Sequence, residues 1–231
     1  MNSEPATVNK VTIESTMNYN GIPVLHYRID YPQFYHTEYE DALKEINKLY
    51  REWALNLQRK YETINYMEAI NQYEYNVANQ FPFHMHEAIS AYEITYNQNA
   101  VISMYYDHYI FSGGAHGSTL RVSRTWNLKN GCPIKLFQNS EDPASDKAQI
   151  LNSIREQIVV QMRNGENQYF DDYLQLIFEH FDPSSFYLTP EGIVIYYEQY
   201  DIAPYSSGIP EFLINSIHLT KQGTGLIFMG Y

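Results

Sequence analysis

The sequence predicts an α+β fold in two sub-regions, with antiparallel sheets and helices packed against them. Three observations predict it. Strand-like and helix-like segments come in blocks, not in strict alternation, which disfavours a doubly wound parallel sheet. The 231-residue chain contains 23 Tyr, whose apolar ring and polar tip suit half-buried sheet faces. Between the strand blocks, apolar residues recur at helical spacing.

The elements follow in order. Val8 to Ile13 and Pro23 to Ile29 alternate as strands around the turn pair Asn20-Gly21. The stretch "EYEDALKEINKLYREWALNLQRK" then changes period. Ala42, Ile46, Leu49, Trp53 and Leu57 recur on one helix face, and Tyr50 widens the stripe. Thr37 reads as the N-cap, with Glu38 and Glu40 in the first turn and Arg59 and Lys60 near the end, as the helix dipole favours. A second helix covers about Ile64 to Ala78 and stops at Phe81-Pro82.

Two long strands come next, His84 to Tyr96 and Val101 to Ile110, joined through Asn97-Gln98-Asn99. A Gly-Gly-Ala-His-Gly segment precedes a strand from Arg121 to Leu128. That strand turns through Lys129-Asn130-Gly131 into Pro133 to Phe137. The polar stretch "NSEDPASDK" leads into a helix with a buried stripe of Ile150, Ile154 and Ile158, which "NGEN" breaks. A shorter helix covers about Gln168 to Phe181. Strands Phe186 to Leu188 and Ile193 to Tyr200 flank a Thr-Pro-Glu-Gly turn. Leu213 to Leu219 reads as a return to the sheet, and the Gly-broken apolar tail after it reads as docking on the body. The weakest seam, near residues 139–145, divides an N-terminal part (1–138) from a C-terminal part (139–231).

Composition narrows the function. A formal charge of −12 argues against a cationic groove and against nucleic acid as a partner, and it attracts a basic partner at long range. The single cysteine, Cys132, leaves no intrachain disulfide, and no His or Asn is spaced to activate it. "MNSEPATVNK" lacks a signal-peptide pattern, and no apolar run is long enough to form a membrane segment.

The glycine segment invites a catalytic reading, and its surroundings argue against one. No Lys-Ser/Thr follows the glycines as a phosphate loop requires, and no G-x-S-x-G elbow is present. Metal is the stronger chemical alternative. His84 and His86 share a face of one strand and His108 lies on the next, so a favourable register would bring three imidazoles together for a metal-dependent hydrolase. Asp171, Asp172, Glu191 and Asp201 are carboxylates without a pairing signal; the adjacent Asp171 and Asp172 cannot face each other on a helix. The remaining reading of the glycines is structural: they permit positive φ and close backbone approach.

Three ordered motifs carry a resemblance. "NAVISMYYDHYIFSGGAHG", "RTWNLKNGCPIKLF" and "SSFYLTPEGIVIYYEQYDIAPYSSGIPEF" together resemble one bacterial family. It is the extracytoplasmic domain shared by the anti-sigma factor RsiV and the N-terminal region of the peptidoglycan deacetylase PdaC. The resemblance runs from about Val8 to Leu219. It implies an α+β fold, no cofactor, and binding in place of catalysis: RsiV-like members are receptors for lysozyme, and the deacetylase chemistry of PdaC-like members belongs to a separate domain. The implied partner is a basic protein such as lysozyme, or peptidoglycan glycan, in an extracytoplasmic setting. The contact residues it suggests are Pro204, Tyr205, Ser206, Gly208, Ile209 and Pro210 on the Ala-Pro-Tyr loop, then Tyr109, Phe111 and His116. No transmembrane or sigma-binding segment precedes the domain in this sequence, so the chain is expected to be a fragment or a stand-alone member.

Overall fold

The computed structural model describes residues 4–215. Six strands form a mixed sheet in spatial order β1-β2-β3-β4-β5-β6: β1 (Thr7–Tyr19), β2 (Ile22–Tyr35), β3 (His86–Gln98), β4 (Val101–Phe111), β5 (Ser118–Asn127) and β6 (Cys132–Pro133). Three more, β7 (Phe186–Thr189), β8 (Gly192–Tyr196) and β9 (Glu211–Ile214), form a second, antiparallel sheet in chain order. The helices are α1 (Glu40–Lys60), α2 (Tyr66–Ala78), α3 (Pro143–Asn164) and α4 (Tyr173–Glu179). The architecture is α+β, as expected. One pairing departs from the antiparallel expectation: β2 and β3 run parallel, with Tyr27 opposite Ala88, because α1 and α2 carry the chain back across the sheet.

Local chemistry accounts for the elements. Asn20 (φ 50°) and Gly21 (φ 80°) both take the left-handed conformation that a two-residue hairpin needs. The β3–β4 turn is tighter than the sequence suggests. It is Asn99-Ala100, with φ 53° and 58°, and Gln98 stays paired with Val101. The cap of the first helical segment also moves. β2 runs on to Tyr35, and the His36 imidazole accepts from the Glu38 N–H, so Thr37 opens a one-turn 3-10 segment instead of capping α1.

On α1 the buried face is Leu43, Ile46, Tyr50 and Ala54, with Trp53 and Leu57 half-buried. Leu49 is exposed, so the expected stripe is rotated by part of a turn. A π-helical turn, Tyr61–Asn65, joins α1 to α2 and buries Tyr61 against Tyr27. The isoleucine stripe of α3 is buried as expected. Asp142 caps this helix through the Ser145 N–H, and Gly165 (φ 68°) ends it. The helix expected over 168–181 is shorter, α4 alone.

Helices α1 and α2 cover one face of the large sheet, where Tyr27, Ile29, Ile102, Met104, Tyr106 and Trp126 are buried. The small sheet packs on the opposite face. Tyr105 of β4 meets Tyr187 of β7 at 5.1 Å between ring centroids, and the Leu188 N–H donates to the Ser103 hydroxyl at 2.8 Å. Helices α3 and α4 close the small sheet from outside around Ile154, Ile158, Ile195 and Phe212. Tyr96 and Leu136, from the N-terminal part, join that second core. The return to the sheet expected over 213–219 is seen as β9 as far as Ile214, Asn215 is outside the strand, and residues 216–219 and the apolar tail lie outside the described residues.

Candidate functional site

Two loops far apart in sequence meet at one end of the sheets. The first follows β4. Tyr109 pairs with Ile89 and Thr119, Phe111 with Glu87, and Ser112 to Gly117 then turn the chain into β5. Gly117 is buried, and a Cβ there would lie 2.3 Å from the Tyr109 ring. Only glycine lets the tyrosine lie flat on the backbone. Gly113 (φ 80°) packs against the His86 ring.

The second loop follows β8. Ile202 and Ala203 are buried, Pro204 is half-buried, and Tyr205–Ser207 form a single 3-10 turn closed by the Ser207 N–H to the Pro204 carbonyl at 2.9 Å. The Ser207 hydroxyl donates to the Gln168 carbonyl, and the Phe170 N–H to the Ile202 carbonyl, so residues 168–170 brace the loop. Gly208 (φ 69°) releases the turn. Ser206 is exposed. Ile209 packs beside Tyr187 and Tyr196, and Pro210 is buried with its carbonyl on the Tyr197 N–H.

The loops join through two rings. His116 stacks on Tyr205 with centroids 3.9 Å apart and planes 20° apart. His116 Nδ1 lies 2.8 Å from the Gly117 carbonyl, which orients the imidazole. Tyr200, 53 % exposed, stands 5.9 Å from Tyr205. His116, Tyr205 and Tyr200 therefore lie along one ridge. Of the expected residues, Pro204, Tyr205, Ser206 and Gly208 belong to it, and Tyr109 supports it from below. Ile209 and Pro210 face the interior and anchor the loop, and Phe111 sits at the β4 end of the first loop, half-buried.

The three histidines of the metal alternative do not converge. His108 stands opposite Ser90, four residues along β3 from His86, or about 13 Å at strand rise. Its Nδ1 lies 3.0 Å from the Ser90 hydroxyl. His86 is buried against Phe83, and His84 precedes the strand and is exposed. Among the described residues no group of His, Cys, Asp or Glu is placed to hold a metal ion. Register decides this: the hairpin that would align the histidines needs a shift of four residues.

A charged cluster beside the ridge was not singled out by the sequence. Arg121 on β5 is buried, makes two 2.7 Å hydrogen bonds to Asp107, pairs with Glu211 on β9, and lies 3.7 Å from the Tyr105 ring centroid. Burial opposes its charge, but the bonds and attraction from Asp107 and the attraction of Glu211 outweigh it and raise its pKa. Glu198 takes the Arg121 backbone N–H on its carboxylate. Burial pushes the Glu198 pKa up to about 7; that N–H counteracts the shift and Asp201 adds to it. A cavity of about 450 Å³ opens between α1 and β4–β5, with Trp53, His108 and Leu120 on its walls and Glu198, Gln199 and Tyr200 at one end.

No helix among the described residues is long and apolar enough to cross a membrane. The family described as Deacetylase PdaC matches residues 21–119, and the family described as Protein of unknown function (DUF3298) matches residues 135–216. No curated protein sequence matches the chain. Solved structures that share its fold include two crystal structures. A DUF3298 family protein from Pseudomonas aeruginosa has a TM-score of 0.59 at 16 % identity, covering 92 % of this chain and 91 % of that one. A DUF3298 family member from Bacteroides fragilis has a TM-score of 0.56 at 17 % identity, covering 91 % and 90 %. The first loop thus lies within the PdaC match and the second within the DUF3298 match, and the chain carries a region of the PdaC family followed by one of the DUF3298 family, consistent with an RsiV/PdaC-like domain.

Proposed function

We propose that this chain is a non-catalytic binding domain that recognises a basic, lysozyme-like protein through the ridge formed by Tyr205, His116 and Tyr200. The observation that carries the reading is the 3.9 Å stack of His116 on Tyr205. It welds the two loops picked out by sequence into one aromatic surface, on which His116 and Tyr200 are exposed and Tyr205 is half-buried. Such a surface has the properties of a binding hot spot. Its rings are large, amphipathic and held by Gly117, Ser207 and the flanking prolines, so little conformational entropy is lost on docking.

Charge supports the same partner. The formal charge is −12, and exposed Asp171 and Asp172 follow the segment that braces the Tyr205 loop. A basic protein is steered towards such a surface, which speeds association more than it strengthens the final complex. The catalytic alternative asks for converging histidines, and the β3–β4 register keeps them apart.

The test is calorimetric titration with lysozyme at low salt, with the Tyr205→Ala variant alongside. Binding that weakens about tenfold or more in the variant, as loss of an aromatic hot spot does, supports the proposal. No heat from the unmodified protein at micromolar concentrations, or equal binding by the variant, would sink it.

A further inference from the structure

We infer that the cavity beside the ridge is a saccharide site, which accepts one or two pyranose units. It shares Tyr200 with the ridge, but its other walls are distinct, and it does not depend on the ridge binding a protein. Its volume, about 450 Å³, falls within the range of small-molecule pockets. What assigns the class of ligand is the chemistry of its walls.

Three aromatic side chains line it, Trp53 from α1, Tyr61 from the π-helical turn and Tyr200 from the turn after β8. Trp53 is held by its neighbours, 4.5 Å from Tyr106 and 5.5 Å from His108 between centroids. Leu57, Ile110 and Leu120 continue the apolar wall. Pyranose rings carry apolar C–H faces and polar hydroxyl rims, so they need such platforms with hydrogen-bonding groups around the edge.

Those groups are present and partly uncommitted. The Glu198 carboxylate has about four acceptor sites, and the Arg121 N–H shared between its oxygens leaves room for hydroxyl donors. The Gln199 Oε1 accepts from the Thr119 N–H at 2.9 Å, which fixes the amide and leaves Nε2 to donate. His108 is held at Nδ1 by Ser90, so Nε2 is the ring atom left for a ligand. Lys60, Ser118 and Thr119 complete the polar lining. Mixed acceptors and donors around aromatic faces suit a neutral polyol. A lone cation would meet Lys60, and a lone anion would meet Glu198.

The chain has two tryptophans, and they make the test specific. Trp126 is buried with its indole N–H on the Tyr50 hydroxyl at 2.8 Å, and it does not line the cavity. Nitrogen-15 labelled protein is titrated with N,N′-diacetylchitobiose and, separately, with cellobiose and agmatine, while both indole N–H signals are followed. Saturable movement of the Trp53 signal alone, with either disaccharide, is expected. At pH 8, where the Glu198 carboxyl is ionised, Glu198→Gln should weaken it about tenfold, as loss of a charged acceptor does. Leu120→Arg, at a position 54 % exposed and remote from the core, should block it by crossing the mouth. Tyr205→Ala should leave it unchanged, so failure here and failure of protein binding at the ridge remain distinguishable. No movement with either sugar, movement with agmatine only, or binding indifferent to both Glu198→Gln and Leu120→Arg would overturn the inference.

Discussion

Arg121, on the large sheet, forms an ion pair with Glu211, on the small one, while gripping Asp107 of its own sheet with two parallel hydrogen bonds. The guanidinium is thus a buried fastening between the two sheets, and the Tyr105 ring covers it. Removing one member of a buried charge cluster leaves its partners uncompensated, which costs about 3–5 kcal/mol. Arg121→Met is expected to lose stability on that scale in urea denaturation. Glu211 is 42 % exposed, so Glu211→Gln should cost about 1 kcal/mol or less.

Gly117→Ala should disturb the ridge from beneath. The added methyl would sit 2.3 Å from a Tyr109 ring carbon and 2.7 Å from the Ile110 carbonyl oxygen. Rotating the ring relieves the first contact, but the second is backbone. Overpacking of this kind costs about 1–3 kcal/mol, and the variant should also lose binding through the displaced His116. At Gly114 the nearest atom to an added Cβ is 4.0 Å away, so Gly114→Ala serves as a control with unchanged melting temperature.

One buried imidazole, one half-buried imidazole and one half-buried carboxyl pull stability in opposite directions with pH. Burial lowers the pKa of His86 and of His108 below the ordinary 6.5. Their contribution is present above 6.5 and is lost as pH falls from there, because the unfolded chain binds the extra protons. Glu198 behaves in the opposite sense. With its pKa pushed up from 4.5 to about 7, its contribution is complete below 4.5 and is lost as pH rises to about 7. Thermal melts at pH 5 and pH 8 separate them. His86→Phe should raise the melting temperature more at pH 5, and Glu198→Gln more at pH 8. His86 Nε2 is also buried without a hydrogen-bond partner, so the phenylalanine should not destabilise at either pH.

If the ridge receives a basic protein, salt should act mainly on encounter. Raising ionic strength from about 0.05 M to 0.5 M shortens the screening length from above 10 Å to a few ångströms. Stopped-flow association should slow markedly, and dissociation should change little. A dissociation rate that rises as steeply as association falls would count against steering by the acidic surface.

Much of this fold was legible from local chemistry. Asn20-Gly21 marked its hairpin, and Ile150, Ile154 and Ile158 marked the buried face of α3, because a turn dipeptide and a clean period each express one dominant force. Helix α1 was harder. Leu43 and Ala54 are as apolar as Ala42 and Leu49, so several stripes fit the sequence and tertiary packing chose one. Ala100 gave no sign of its left-handed backbone; burial and the Leu128 N–H on its carbonyl hold it there. The parallel β2–β3 edge and the opposition of His108 to Ser90 are long-range choices that strand patterns do not encode. At the site, Tyr205 and His116 were each legible from motifs, but their contact was not. Arg121, Asp107 and Glu211 looked like ordinary surface charges until the two sheets came together.

The parallel β2–β3 pair has a consequence for how the chain is made. β3 cannot join β2 until residues 36–85 have been synthesised and folded into the helical crossover, since the entropy of closing that loop must be met before the edge is paired. A ribosome-bound chain that stops short of His86 therefore presents β2 with one flank bare and Val24, Tyr27 and Ile29 still seeking cover. Truncations placed inside α1 or α2 should accumulate as insoluble protein, whereas cuts after β5 leave the large sheet a complete set of long strands.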